Sequence, residues 1–256
     1  MLIAGAGSGK TRVLTFRIAH LMKEHQVDAF HIMALTFTNK AAKEMRDRIE
    51  AEVGSDARNL WMGTFHSVFA RILRAEAHFL GYPNNFTIYD TDDSKTLLKN
   101  IIKEMGLDEA TYKTSTVYNR ISAAKNRLIS WQEYLSNPLL LGDDAANMRP
   151  QIGNIYKNYA LRCFKSGAMD FDDLLFNTDK LFKDHLEVLN KYQHKIHYVL
   201  VDEFQDTNLC QYYIIRKLAA VRQNICVVGD DAQSIYAFRG ADISNILNFE
   251  KDYPEL

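Results

Sequence analysis

Short apolar runs alternate with helical patterns at both ends of the chain. Leu2-Ile3-Ala4 precedes a glycine-rich turn, and apolar residues at helical spacing follow it, which predicts a strand, a loop and a helix. The same unit recurs at residues 32–35, 60–63 and 198–201, and a further apolar run covers residues 225–228. Continuously apolar strands that alternate with helices are typical of a parallel sheet covered on both faces. The pattern therefore predicts an α/β fold built on a parallel sheet.

The middle of the chain has a different pattern. Residues 68–195 contain long amphipathic stretches at helical spacing, separated by clusters of turn formers such as Gly81-Tyr82-Pro83 and Asn137-Pro138. We therefore predict a mainly helical subdomain at residues 68–195, inserted into a discontinuous α/β domain of residues 1–67 and 196–256.

Composition limits the classes of protein that remain. A chain of 256 residues, 47% hydrophobic and 25% charged, can bury a core and divide into about two domains. Its net charge of -1 gives no chain-wide basic signature, so nucleic-acid binding has to be argued from local groups. Neither a signal peptide nor an apolar run of membrane-spanning length is present, which favours a cytoplasmic protein with no membrane partner. The three cysteines form no C-x-x-C pair, and we predict buried, reduced thiols.

A phosphate-binding loop is predicted between the first strand and the first helix. Its glycines let backbone N–H groups face phosphates, Lys10 would neutralise phosphate oxygens, and the Thr11 hydroxyl would ligate magnesium. The strict pattern begins with glycine where this chain has Ala4, and a dinucleotide fingerprint would require glycine in place of Lys10. A glycine-rich turn without a ligand is the alternative. The candidate loop residues are Ala4, Gly5, Ala6, Gly7, Ser8, Gly9, Lys10 and Thr11.

Two further strand ends carry groups that suit nucleotide hydrolysis. Asp202 and Glu203 follow the apolar strand at residues 198–201, where open α/β sheets bind ligands. In a phosphate-loop protein Asp202 would hold magnesium, and Glu203 would orient and deprotonate the attacking water. Such a pair alone is more often a solvated turn, but together with the loop it supplies metal ligand, charge and base. Gln233, after the last apolar run, could report on the γ-phosphate through its amide.

Aromatic and polar residues at strand ends suggest contacts to single-stranded nucleic acid. Rings can stack on bases for ~1–3 kcal/mol per base, and hydroxyls, amides and helix N-termini commonly hold backbone phosphates. Helix capping by Thr38, Asn39 or Ser67 and core packing of the rings remain alternatives. A lone histidine is more often structural than catalytic. The candidates are Phe37, Thr38, Asn39, Thr64, Phe65, His66, Tyr236, Phe238 and Arg239.

A family resemblance joins these segments. In order, AGAGSGKT, TFTNKAAKEMRDRI, GTFHS, MDFDDLL, LVDEFQDTN and VVGDDAQSIYAFRGA resemble the successive motifs of superfamily 1 DNA helicases of the UvrD, PcrA and Rep type. The resemblance implies a RecA-like P-loop NTPase domain with a helical insertion, in an ATP- and Mg²⁺-dependent 3′-to-5′ translocase. It repeats the roles given above to Lys10, Thr11, Asp202, Glu203 and Gln233. It also assigns Arg12 to the nucleotide, and Phe37, Asn39, Tyr236, Phe238 and Arg239 to the DNA track.

The resemblance also implies a further domain and the partners with which this stretch of sequence would act. In the family, a second motor domain supplies arginines to the ATP site, so we expect this chain to be the N-terminal part of a longer helicase and inactive in unwinding by itself. Expected partners are single-stranded DNA, junctions of single- and double-stranded DNA, and the second motor domain of the same polypeptide. Two alternatives stay open: the motor portion of a nuclease-coupled recombination helicase, and a non-catalytic DNA-binding module with a vestigial nucleotide site.

Overall fold

A computed structural model describes residues 2–3 and 9–230, together with residues 249, 251 and 253. The chain divides into two compact units, one of residues 1–72 with 179–256 and one of residues 73–178. Within the described ranges, no helix combines the length and the apolar character needed to cross a membrane.

Strands and helices follow one another closely along the chain. The strands are β1 Leu2–Ile3, β2 Ile32–Thr36, β3 Trp61–Thr64, β4 Thr87–Tyr89, β5 Ala168–Asp170, β6 Tyr198–Val201 and β7 Ile225–Gly229. The helices are α1 Lys10–Lys23, α2 Asn39–Val53, α3 Phe65–Glu76, α4 Thr91–Glu104, α5 Thr114–Asn126, α6 Trp131–Ser136, α7 Pro138–Ala146, α8 Ile152–Lys165, α9 Phe171–Asp184, α10 Leu186–Lys195 and α11 Leu209–Ala219.

The first unit is built on a parallel sheet, as predicted. The strand order is β1-β7-β6-β2-β3, and every neighbouring pair is parallel. Each strand coincides with an apolar run of the sequence, because a strand covered on both faces can expose no polar side chain. All carboxyl ends of these strands therefore lie along one edge of the sheet.

Helices α1 and α2 pack on the sheet through apolar residues at helical spacing. Leu14, Ile18 and Leu21 of α1 share one buried cluster with Met45 and Ile49 of α2. Spacings of three, four and seven residues place these side chains on one face of each helix. This packing fixes the N-terminus of α1 against the carboxyl edge of the sheet.

The second unit is mainly helical, with one feature that the sequence pattern did not predict. Strands β4 and β5 form a short parallel pair, in which Ile88 lies opposite Met169. Each strand has only three residues, too few for an alternating pattern to stand out. The core of this unit gathers Leu98, Ile101 and Ile102 of α4 with residues of α5 and α8.

The boundaries of the compact units differ from those predicted. The units divide after residues 72 and 178, whereas the sequence pattern placed the divisions after residues 67 and 195. The main difference is α10, whose Tyr192 lies edge-on to Trp61 of β3 at 6.0 Å and near Phe182 at 6.1 Å. These aromatic contacts attach α10 to the sheet, although its amphipathic pattern resembles that of the insertion.

Candidate functional site

Most described candidate residues follow strands at the carboxyl edge of the sheet in the first unit. The strand order places the ends of β1, β7 and β6 on one side, and the ends of β2 and β3 on the other. Among the described residues, nucleotide candidates thus occupy one half of the edge and DNA candidates the other. Nine predicted residues lie outside the described ranges: Ala4, Gly5, Ala6, Gly7, Ser8, Gln233, Tyr236, Phe238 and Arg239.

The start of α1 has the features of an anion site. Gly9 adopts a left-handed conformation with φ 85°, which favours glycine, and it precedes the helix without a side-chain cap. The first turn contains no acidic residue of its own, so the helix itself places no carboxylate at its partially positive N-terminus. Arg12 extends from this turn and lies over the Phe16 ring at 5.3 Å.

A hydrogen bond joins the start of α1 to the acidic strand end. Thr11 Oγ1 donates to Asp202 Oδ2 at 2.9 Å, although 191 positions separate the two residues. Burial raises the pKa of Asp202 and the neighbouring Glu203 adds to the rise, which the hydrogen bond from Thr11 only partly opposes. A cation beside this carboxylate would favour its ionised form. A hydroxyl and a carboxylate within hydrogen-bonding distance also match the oxygen ligands that Mg²⁺ prefers, so these residues fit a magnesium ion.

Asp230 is a site residue to which the sequence pattern assigned no role. Its Oδ2 lies 3.2 Å from Lys10 Nζ, and both side chains are buried. Asp230 directly follows β7, just as Asp202 directly follows β6. The sequence could have indicated Asp230 in the same way as Asp202, because each aspartate directly follows a short apolar run.

Glu203 adopts an unusual backbone conformation beside Asp202. Its φ of 50° places it in the left-handed region, which is uncommon for a residue with a side chain and is often found at functional sites. Its N–H donates to Asp202 Oδ1 at 3.1 Å, and its Oε2 accepts a hydrogen bond from Gln205 Nε2 at 2.6 Å. The sharp turn after β6 thus directs both carboxylates to the same region.

On the other half of the edge, the structure corrects one candidate. Phe37 is partly exposed, and its ring centroid lies 5.2 Å from that of Phe65. Phe65 itself is only 1% exposed and also packs near Phe69, so its ring has no face open to a base. The prediction that Phe65 stacks a base is wrong for this conformation. Its side chain supports Phe37 instead, because the first position of α3 points into the core.

The hydroxyl candidates take part in helix capping. Thr38 accepts a hydrogen bond from the Ala41 N–H at 3.1 Å and caps α2, while Thr64 accepts one from the Ser67 N–H at 3.2 Å at the start of α3. Asn39, the first residue of α2, is exposed. His66 is partly buried, and this burial lowers its pKa. Capping therefore holds for both threonines, and their helix N-termini face the same edge.

A basic groove adjoins these residues and was not predicted from the sequence. It has a volume of about 450 Å³, and its lining includes Asn39, Lys43, Arg46, Ser67 and Arg71. Arg46 donates to the Met62 carbonyl at 2.8 Å, whereas Lys43 is exposed. Among the described residues, Lys43, Arg46 and Arg71 line the groove and no carboxylate does. The chain's net charge of -1 gave no indication of this local basic group.

Comparisons with known proteins identify the family of this chain. The sequence model of the protein family described as UvrD/REP helicase N-terminal domain matches residues 1–254. The ATP-dependent DNA helicase PcrA of Bacillus subtilis (strain 168) is 48% identical over 255 residues, which are 99% of this chain and 34% of that protein. The PcrA proteins of Staphylococcus aureus (strain Mu50) and Staphylococcus epidermidis are 45% and 46% identical over the whole chain.

The chain spans about a third of the length of these curated relatives, with 34% of each covered. The family match nevertheless extends over nearly every residue, and the parallel sheet is that of the RecA-like P-loop fold that this family shares. The chain belongs to the UvrD/REP helicase family, as its N-terminal domain.

Proposed function

We propose that this chain forms the nucleotide-binding and DNA-gripping part of an ATP-dependent 3′-to-5′ DNA helicase. The observation that carries the proposal is the hydrogen bond between Thr11 and Asp202, because it brings the phosphate-loop helix and the acidic strand end together. Hydrolysis of a nucleoside triphosphate needs these two segments side by side. The family and the names of the relatives support the same reaction. A cytoplasmic location goes with this proposal.

The residues near α1 would divide the work of hydrolysis. Lys10 would turn from Asp230 to the phosphates, and Thr11 and Asp202 would hold a magnesium ion. When bound, the ion neutralises charge that develops on the phosphate oxygens. Glu203 orients a water molecule and accepts its proton, a role for which its carboxylate must stay ionised. Gln233 senses the γ-phosphate, and Arg12 contacts the nucleotide.

The other half of the edge would hold single-stranded DNA. The partly exposed ring of Phe37 stacks a base, while the N-termini of α2 and α3 and the exposed Lys43 contact backbone phosphates. Tyr236, Phe238 and Arg239 extend the track. Closing and opening against the second motor domain of the same polypeptide moves the strand and separates junctions. The 256-residue chain by itself binds nucleotide weakly and does not unwind duplex DNA.

Glu203→Gln in the complete gene product tests the assignment of the base. We expect DNA-stimulated ATP hydrolysis to fall by at least ~10²-fold, the usual contribution of a general base, while ATP affinity stays unchanged. Glu187→Gln is the matched control, because this carboxylate is exposed on α10 and pairs only with His185 in the described residues. Hydrolysis by Glu203→Gln near the parental rate would disprove the assignment.

A nucleotide titration of the 256-residue chain separates the proposal from a vestigial site. Binding of a fluorescent ATP analogue should tighten when Mg²⁺ is added, because Thr11 and Asp202 become ligands. A response that is the same with and without Mg²⁺ would favour the non-catalytic DNA-binding module.

A further inference from the structure

Gln205 lies at the centre of the candidate site, and neither the motifs nor the proposed mechanism gives it a task. It belongs to the short 3-10 turn after β6 and is only 2% exposed. Its two amide atoms have different partners. Oε1 accepts a hydrogen bond from the Asp230 N–H at 2.9 Å, and Nε2 donates to Glu203 Oε2 at 2.6 Å.

The chemistry of these partners fixes the orientation of the amide. A main-chain N–H can only donate, so the amide oxygen of Gln205 has to face Asp230. The NH₂ group then faces Glu203, which as a carboxylate can only accept. A reversed amide would place two donors together on one side and two acceptors on the other.

Gly229 makes this contact possible. A Cβ atom added at residue 229 would lie 2.9 Å from Gln205 Oε1 and 3.5 Å from the Gln205 nitrogen. The first distance is too short for two non-bonded atoms, so any other residue would displace the amide. The missing side chain at the end of β7 therefore allows Gln205 to reach the Asp230 N–H.

We propose that Gln205 is the positioning residue for Glu203. The Gln205 amide holds Oε2 of Glu203 and leaves Oε1 of Glu203 to meet the attacking water. The Glu203 carboxylate thereby keeps one orientation in its left-handed turn. This inference rests on the proposed function, in which Glu203 is the base. A misplacement of a reacting group by about 1 Å can cost ~10²-fold in rate, which sets the size of the expected effect.

The same amide also connects the base to the phosphate side of the site. Asp230 receives Lys10 on its side chain and gives its N–H to Gln205. When Lys10 leaves Asp230 for a phosphate, the end of β7 loses a charge partner while its N–H stays bonded to Gln205. A path of two hydrogen bonds thus leads from the Asp230 N–H through the Gln205 amide to the Glu203 carboxylate.

Gln205→Met in the complete gene product tests this role, because methionine keeps the length of the side chain and loses both hydrogen bonds. We expect kcat for DNA-stimulated ATP hydrolysis to fall by about 10²-fold, with KM for ATP changed by less than about three-fold. A fall in kcat at a nearly constant KM is expected of a residue that positions the base, because ATP binding does not depend on the direction of the Glu203 carboxylate. A purely structural role would weaken ATP binding as well, which titration with a fluorescent ATP analogue measures.

Gln211→Met is the matched control. Gln211 is also a buried glutamine, but its amide oxygen accepts from the Asn208 N–H at the start of α11, away from Glu203. Gln211→Met should lower stability and leave kcat and KM unchanged. An equal loss of kcat in both variants, or an unchanged kcat in Gln205→Met, would overturn the inference.

Two further variants keep the outcomes distinguishable. Should Gln205→Met fail to fold, Gln205→Glu keeps the shape of the side chain and an acceptor for the Asp230 N–H, but it replaces the amide donor to Glu203 by an oxygen. Its kcat should fall by about 10²-fold, and a parental kcat would overturn the role of Gln205. Glu203→Gln separates this inference from the proposed function. Activity in Glu203→Gln would refute the base itself, whereas inactive Glu203→Gln with fully active Gln205→Met would refute only the positioning role.

Discussion

Replacement of Lys125 by methionine is expected to destabilise the second unit strongly. Lys125 is 2% exposed, and its Nζ lies 2.7 Å from Asp170 Oδ2 and 2.8 Å from Asp173 Oδ1. The Tyr159 hydroxyl donates to the same Asp170 oxygen at 2.8 Å. Methionine fills a similar volume but leaves two buried carboxyl groups without a cation. Breaking a buried ion pair by removing one partner typically costs about 3–5 kcal/mol.

The ionisation of this cluster determines how the cost depends on pH. Burial lowers the pKa of Lys125, but Asp170 and Asp173 outweigh it and raise the pKa well above its ordinary value, so the lysine is charged. Burial, followed by the charge of Asp170, raises the pKa of Asp173 to about 7. Without Lys125 both carboxyl groups should remain protonated in the folded state to higher pH. A raised carboxyl pKa contributes stability that is present at low pH and is lost as pH rises through the folded value.

The expected size of the pH effect on stability follows from that linkage between protonation and folding. A carboxyl that stays protonated in the folded state has a pKa of about 3.9 in the unfolded state. Between these two pKa values the protein loses about 1.4 kcal/mol of folding stability per pH unit. Raising the pH from about 5.5 to about 8 should therefore enlarge the deficit of Lys125→Met by roughly 3 kcal/mol through Asp170. Burial raises the pKa of Asp170, but in the parent Lys125 outweighs burial and lowers it, so this carboxyl is ionised there. Asp173 adds to the difference only above its parental pKa of about 7.

Denaturant unfolding of the 256-residue chain at both pH values measures the deficit, and hydrogen exchange of α5 and α8 assigns it to the second unit. Lys99→Met is the control, because Lys99 is exposed on α4 of the same unit and should change stability by less than about 0.5 kcal/mol. A deficit below about 1 kcal/mol, or one that does not grow with pH, would refute the account of the cluster.

Two smaller perturbations test other parts of the first unit. Thr11→Val should raise the Mg²⁺ concentration needed for half-maximal nucleotide binding by at least ~10-fold, measured by titration; an unchanged requirement would remove Thr11 from the metal site. Asn208→Ala should lower the free energy of unfolding by about 1 kcal/mol in denaturant, because Asn208 Oδ1 accepts from the Gln211 N–H at 2.9 Å and caps α11. No loss of stability would show that the cap is replaced by water.

The sheet and its polar edge were predictable from the sequence because a doubly covered strand must be continuously apolar. That rule located β2, β6 and β7, and the polar residues that follow them then had to share one edge. The strands β4 and β5 were not predicted, because a segment of three residues is too short to show an alternation of apolar and polar positions.

The sequence was less informative about individual side chains. Phe65 and Phe37 have the same residue type and similar positions after a strand, yet only Phe65 begins a helix whose first side chain points into the core. Gln205 shows a related limit. Its role depends on the distance between the turn after β6 and the end of β7, and no spacing along the chain encodes that distance.

Sheet pairing also explains how one edge can serve two ligands. Strand β2 pairs directly with β6, with Leu35 opposite Val201, and the Asp202 N–H donates to the Leu35 carbonyl at 3.0 Å. Phe37 therefore lies only two residues beyond Leu35, the residue whose carbonyl binds the Asp202 N–H. Since ladder hydrogen bonds keep this register fixed, β2 and β6 cannot slide to signal the nucleotide state. Under the proposed function, the parts of this sheet that respond to the nucleotide must then be the side chains and turns beyond the strand ends. Gln205 bonds residues of two such turns, those after β6 and β7.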